Sequence, residues 1–179
     1  MNYAVITAIG PDRIGIMDDI AAEVVSAKGN IEELKAAVLG GEFAVIMLVS
    51  GGSDIVGSLE RGLSGSAAAK GLALTIKATG KPAPVTGIPY LVETVSLDTP
   101  GLVHSITAIL RARGFNVEDL ESSTEAAPWT GAPLFRMKVR VIAPVGAKVA
   151  ALRADLARAA EELDIDVSIH PLTANSSER

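Results

Sequence analysis

Two short turns carry the residue types best suited to holding a small molecule. The first, Gly10-Pro11-Asp12-Arg13-Ile14-Gly15-Ile16, sets two glycines, a proline and a carboxylate side by side. Glycine and proline make a tight turn whose backbone is not shielded by Cβ atoms. Asp12 is placed to cap a helix that follows, and the helix's first free N–H groups then face whatever sits in the turn. Backbone donors at a helix start suit a small anion such as the carboxylate of an amino acid. The second turn, Asp98-Thr99-Pro100-Gly101-Leu102, repeats the pattern: a shift of 86 positions carries Asp12 to Asp98, Gly15 to Gly101 and Ile16 to Leu102.

Other chemistry is thinly represented. The chain has no cysteine, which excludes disulfides, thiolate zinc sites and a cysteine nucleophile. Its two histidines, His104 and His170, stand without carboxylate spacing of a zinc-site kind and read as packed or surface side chains. No G-x-S-x-G elbow accompanies the serines. Arg13 has no counterpart in the repeat, where Thr99 stands instead, and reads as a solvated side chain, while Trp129 either covers a pocket or packs on its own domain. No catalytic residue, metal ligand or cofactor is therefore expected.

The elements that must position the turns follow from periodicity. Tyr3–Ile9 is an apolar, strand-like run ahead of the first turn, and Met17, Ile20, Ala21 and Val24 give the next stretch one apolar helical face. Gly29 in Lys28-Gly29-Asn30 is the expected left-handed helix cap. Residues 31–39 alternate as a strand, Gly40-Gly41 signals a two-residue hairpin, and residues 42–49 return as the third strand. Ile55, Leu59 and Leu63 begin a second helix to about Lys70, despite Gly57, Gly62 and Gly65, and residues 72–78 close the unit.

Residues 88 onward run through the same order, with Leu102, Ile106, Ile109 and Leu110 on one helix and Val149, Leu152, Leu156 and Leu163 on the other. Lys28-Gly29-Asn30-Ile31-Glu32 answers Arg113-Gly114-Phe115-Asn116-Val117-Glu118 with one residue inserted. A repeat of this period describes two copies of a small domain rather than a solenoid. The expected organisation is domain 1 over 1–80, a Pro-rich linker over 81–88, domain 2 over 89–172 and a disordered tail over 173–179. Each domain reads βαββαβ, an α+β, ferredoxin-like unit: a four-stranded antiparallel sheet with two helices on one face.

Bulk properties narrow the function. With 49% hydrophobic but only 3% aromatic residues, the core must be built from Ala, Val, Ile and Leu. The net charge of −5 is spread evenly and no basic block exists, so direct nucleic-acid binding is not expected. The longest apolar run, residues 43–49, is far short of a membrane span, and Met1-Asn2-Tyr3-Ala4 lacks a signal peptide's basic region. A cytoplasmic protein with no membrane contact is the expectation.

A βαββαβ unit whose first turn reads G-x-D-x-x-G-[IL] resembles the ACT domain, a regulatory module that binds small ligands, usually amino acids. Repeat 1 carries this at Gly10, Asp12, Gly15 and Ile16, and repeat 2 carries D-x-P-G-L at Asp98, Pro100, Gly101 and Leu102. Two such units with little else, the first reading A-I-G-P-D-R-I-G-I, resemble the glycine cleavage system transcriptional repressor family over residues 3–171. The resemblance implies a non-enzymatic, amino-acid-sensing regulator that acts through a protein partner. It points to Gly10, Pro11, Asp12, Gly15, Ile16, Asp98, Pro100, Gly101 and Leu102 as ligand-binding residues, with glycine or serine as the ligand, at an interface between domains. Each candidate has a plainer reading beside it: Asp12 and Asp98 as helix caps alone, Gly15 and Gly101 as points of close helix–sheet packing. Rival functions are an acylphosphatase-like hydrolase on the same topology and a ligand-free interaction module.

One further expectation concerns the sheets. Phe135, Met137, Val139 and Val141 alternate with Arg136, Lys138 and Arg140, whereas Phe43, Val45, Met47 and Val49 alternate with Ala44, Ile46 and Leu48. Repeat 2 should thus show water a charged face, met by Asp119 and Glu121, and repeat 1 an apolar one that marks a contact surface, for instance of a homodimer.

Overall fold

The computed structural model describes residues 1–172 apart from Lys70, Val85, Asp98 and residues 128–130, with the side chains of residues 64–69 left aside. Trp129 and the tail from residue 173 thus lie outside the described residues. The element order is β1 (Asn2–Pro11), α1 (Ile16–Ser26), β2 (Asn30–Leu39), β3 (Glu42–Gly51), α2 (Ile55–Ala69), β4 (Ala73–Thr79), then β5 (Ile88–Leu97), α3 (Leu102–Ala112), β6 (Asn116–Ala126), β7 (Pro133–Ala143), α4 (Val149–Leu163) and β8 (Asp166–Pro171). The chain divides into two compact units, with the division between Ala83 and Pro84. Each is βαββαβ, and the two antiparallel sheets run β2-β3-β1-β4 and β6-β7-β5-β8. This is the tandem ferredoxin-like arrangement that the alternation and the 3.6-residue periodicities dictate.

In the first unit Ala4, Ile6 and Ala8 of β1 and Phe43, Val45, Met47 and Val49 of β3 turn one way. They pack with Ile16, Ile20 and Val24 of α1 and Ile55, Leu59 and Leu63 of α2 into a single core. The second unit builds the same core from Val92, Met137, Val139 and Val141 with Leu102, Ile106, Leu110, Leu152 and Leu156. Leu163, expected in that core, is part-exposed at the end of α4, and Ala159 is buried instead.

Three local expectations need correction. Gly29 is not the left-handed residue after α1; Lys28 is, at φ 56°. Gly29 is needed for space, since a Cβ there would lie 2.8 Å from Val49 Cγ1 and 3.1 Å from Ile55 Cδ1. Nor is a residue inserted between the repeats at this point. Lys28 and Gly114 take the same left-handed place, and the amides of Gly29 and Phe115 bond alike to Val24 and Leu110, so the shift of 86 runs unbroken. Finally, the alternation of β2 is interrupted by a bulge between Ile31 and Glu33, and that of β6 by one between Val117 and Asp119.

The Gly40-Gly41 hairpin does form as expected, with φ of 60° and 84° and Leu39 paired to Glu42. Positive φ at both central residues matches the strand twist. The outer faces differ between units. Within its unit, the far side of the first sheet shows Ile9 and Ile46 about half exposed. On the second, Lys138 and Arg140 are exposed and pair with Glu93 at 3.5 Å and Glu118 at 3.0 Å, while Asp119 and Glu121 stand opposite Arg140 and Lys138 in the register.

Candidate functional site

Both first turns are built on a left-handed glycine. Gly15, at φ 87° and ψ 5°, is the N-cap of α1, and Gly101, at φ 97° and ψ −5°, is the N-cap of α3. Among the described residues no side chain caps either helix. The capping role expected of Asp12 therefore does not hold: it stands three residues ahead of the cap, beyond reach of the first amides that a capping side chain serves. Asp98 lies outside the described residues. No atom comes within 4 Å of a Cβ built on Gly15 or Gly101, so close helix–sheet packing does not explain these glycines either. Backbone handedness does.

The first turn is anchored from its other side. The Asp12 amide donates to the Gly41 carbonyl at 2.9 Å, tying the turn to the β2–β3 hairpin. Pro11 ends β1 opposite Glu42, and Asp12 is exposed. Arg13 is engaged rather than free: its guanidinium bonds Asp19 at 2.5 Å and the Ile14 carbonyl at 3.2 Å. Ile14 between them is fully exposed, an apolar side chain at the apex that the sequence reading passed over. Ile16 and Leu102, at 2% and 6% exposure, are core residues, so each can offer a ligand its backbone N–H but not its side chain.

Electrostatics separate the two turns. Asp18 and Asp19 fill the first turn of α1 and offset the positive end of its dipole, while the first turn of α3 holds no acid. A carboxylate is better received at Gly101 than at Gly15 on this ground alone. Thr99 Oγ1 there donates to the Leu97 carbonyl at 3.4 Å, and Pro100 is exposed.

The strand ends behind the turns differ as well. Gly10 is buried, and a Cβ on it would meet the Gly71 carbonyl oxygen at 2.7 Å and Leu72 Cδ2 at 2.9 Å. Its smallness serves packing. In the second unit the shift of 86 puts Ser96 there, beside a cavity of about 270 Å³ lined also by Leu134, Ala160, Asp164 and Asp166. Ser96 Oγ and Thr94 Oγ1 are buried without a protein hydrogen-bond partner. Their signal in the sequence was a polar side chain at inward positions of an apolar strand.

Elsewhere, two carboxyl groups are held below the usual range. Glu32 accepts from Ser50 Oγ and then Asn30, and Asp155 is held down by Arg113 and, more weakly, by Arg158. His170 Nε2 lies 3.8 Å from Glu93, and His104 is exposed on α3. Among the described residues no three His, Cys, Asp or Glu side chains gather as metal ligands, and no helix is long and apolar enough to cross a membrane.

Residues 2–77 match the ACT domain family. The glycine cleavage system transcriptional repressor of Escherichia coli (strain K12) is 32% identical over 170 residues, covering 94% of this chain and 90% of that protein. A solved structure of an unknown protein from Galdieria sulphuraria is 30% identical with a TM-score of 0.81, covering 96% of this chain and 99% of that one. A solved structure of a candidate glycine cleavage system transcriptional repressor, 24% identical, shares the fold over 96% of this chain and 98% of its own, with a TM-score of 0.70.

Proposed function

The chain belongs to the glycine cleavage system transcriptional repressor family, and on that premise we propose that it is a non-enzymatic regulator that binds a small amino acid at its first turns and acts through a protein partner. The observation that carries the reading is the left-handed glycine that opens the first helix of both units, with no side-chain cap among the described residues. It leaves the first amides of α1 and α3 to donate to a carboxylate. Glycine or serine is the proposed ligand. Gly10, Pro11, Asp12, Gly15 and Ile16 form one site, and Asp98, Pro100, Gly101 and Leu102 the other. Asp12 and Asp98 accept from the ammonium, and Gly15 and Gly101 keep the backbone open.

Regulation follows as a population shift: ligand binds one arrangement of the protein better and so enriches it. The partner, or a second copy of the chain, takes the apolar sheet face around Ile46. Transcription is reached through that partner, since the charged face of the second unit mixes acids with its bases and offers no basic stripe for a phosphate backbone. The protein works in the cytoplasm, with residues 1–80 and 89–172 as its two domains. An acylphosphatase-like reading gains nothing from Arg13, whose guanidinium is committed to Asp19.

Calorimetric titration of the full chain with glycine, serine and the other common amino acids tests the reading. Saturable heat for a small amino acid, reduced when Gly15 and Gly101 are both replaced, is the expected result. No heat and no thermal shift across the set would overturn it in favour of a ligand-free interaction module.

A further inference from the structure

The shift of 86 relates α1 to α3, and a shift of 93 relates α2 to α4. The second carries Leu59 to Leu152 and Leu63 to Leu156, all four fully buried. It also carries Ile76, the partner of Ile6, to Ile169, the partner of Val92. Under these shifts the grooves between the paired helices hold opposite contents.

In the second unit α4 presents Asp155, and two guanidinium groups close on it: Arg113 Nε at 2.5 Å and Arg158 Nη2 at 2.6 Å. In the first unit the corresponding positions are Gly62, Ala27 and Gly65, so neither the carboxylate nor its two cations recur. A carboxylate is present all the same. Glu23, from α1, lies so near α2 that a Cβ on Gly62 would stand 2.6 Å from its Oε2. Gly62 sits mid-helix, where alanine is favoured, and its smallness admits that carboxylate.

The cations are what the first unit lacks. Among the described residues the Glu23 side chain has no ion pair or hydrogen bond, and the Lys28 side chain has none either. Before them opens a cavity of about 440 Å³, lined also by Ser26, Ala27, Ser58 and Arg61. Arg61 spends its guanidinium on Asp54 at 2.7 Å and Ser58 Oγ at 3.1 Å, both exposed contacts that are easily exchanged. One carboxylate short of a cation, with two cations and two hydroxyls around the same space, fits a molecule that carries both charges.

We propose that the groove between α1 and α2 is a binding site for a free α-amino acid, distinct from the first turn. The ammonium takes the place that Arg113 fills in the second unit and pairs with Glu23. The carboxylate meets Lys28 and Arg61, and Ser26 and Ser58 complete its hydrogen bonds. A bound zwitterion then ties α1 to α2, as the Arg113–Asp155 pair ties α3 to α4. The proposal rests on the amino-acid-sensor reading only for its choice of probes.

The test titrates the full chain with glycine, serine, methylammonium and acetate, by calorimetry and by amide chemical shifts. Expected are saturable shifts at Ala27, Lys28 and Ser58 with glycine or serine, and at least tenfold weaker binding of the two half-ligands. Glu23→Gln should weaken binding tenfold or more. Ala27→Arg should abolish the shifts at these groove residues, because it installs the guanidinium of the second unit; an unchanged melting curve shows that the fold is kept. Amino-acid binding that survives Ala27→Arg and Glu23→Gln but is lost in Asp12→Asn would overturn the groove and keep the turn. Loss in the groove variants with full binding by Asp12→Asn would do the reverse. No binding of either amino acid below about 10 mM would overturn the groove proposal outright.

Discussion

Gly15→Ala isolates the energetic role of the first turn, because the new Cβ enters open space on a backbone at φ 87°. No contact is created or lost, so the cost is that of forcing an L-residue into the left-handed region, about 1–2 kcal/mol. For a unit the size of Met1–Ala83, each 1 kcal/mol lowers the melting temperature by about 4–8 °C, so a drop of about 4–16 °C is expected. Asparagine tolerates this conformation better and valine worse, which orders the variants Asn, Ala, Val by rising cost. Gly101→Ala, at φ 97°, should cost the second unit the same. Gly10→Ala is the contrast: its cost of about 1–3 kcal/mol comes from overpacking against the Gly71 carbonyl at 2.7 Å, and asparagine cannot rescue it. Thermal and urea melts followed by circular dichroism, fitted with separate transitions for the units, measure all of these. The handedness argument fails if Gly15→Ala is neutral, or if Gly15→Asn is as damaging as Gly15→Val. The same series controls ligand titrations, since a lost site must be separated from a lost fold.

Gly29→Ala should destabilise the first unit by about 1–3 kcal/mol in a urea melt, because its Cβ must displace Val49, Ile55 and Val24. Ile46→Lys, on a side chain 52% exposed within the chain, should leave the melting curve within about 0.5 kcal/mol yet abolish self-association or partner binding in sedimentation; Lys138→Ile should leave that association intact, and the reverse pattern would discard the apolar face as an interface. Asp155 titrates below its ordinary 3.8 in the folded chain because of Arg113. Its stabilisation is therefore complete above about pH 4 and fades as pH falls through the lowered value, so the gap between wild type and Asp155→Asn should be flat at neutral pH and close in acid. A gap that does not narrow as pH falls below 3.8 would show that the pair is not its cause.

The repeat and the strands were legible because alternation and helical spacing report burial, and burial sets both cores. What local pattern could not convey was conformation at single residues. Asp12 has the chemistry of a cap, but Gly15 occupies the cap position, and three residues separate them. Lys28 takes the left-handed place beside a glycine that looks better suited, because Gly29 is reserved for the crowded point against Val49. The bulges broke an alternation that read as continuous. The α1–α2 groove was invisible for a different reason. Glu23 lies on α1, Lys28 in the turn after it and Arg61 on α2, and no spacing connects Arg61 to the other two until the fold packs α2 beside Glu23 at Gly62. The helix glycines were the available clue, and from propensity alone they register only as weak points.

The paired bulges have a consequence for ancestry and for editing the chain. Glu32 and Glu118 are the extra residues, and the shift of 86 makes them the same position in both copies. An insertion shared at one place is most simply inherited, so the bulge predates the duplication. On either side of it the ladder keeps one parity: Ile31 pairs with Val49 on the inner face, Glu33 with Leu48 on the outer, and Leu34 with Met47 on the inner again. Deleting Glu32 would leave that alternation regular, whereas deleting a residue in the middle of the ladder beyond the bulge, such as Ala36, throws part of the strand onto the wrong face. Two duplicated strands thus each carry one site at which a codon can be lost without scrambling the sheet, and both have kept a glutamate there. In the first unit it accepts from Ser50 and Asn30, and in the second from Arg140, so the surplus residue has become the fastening of an exposed edge.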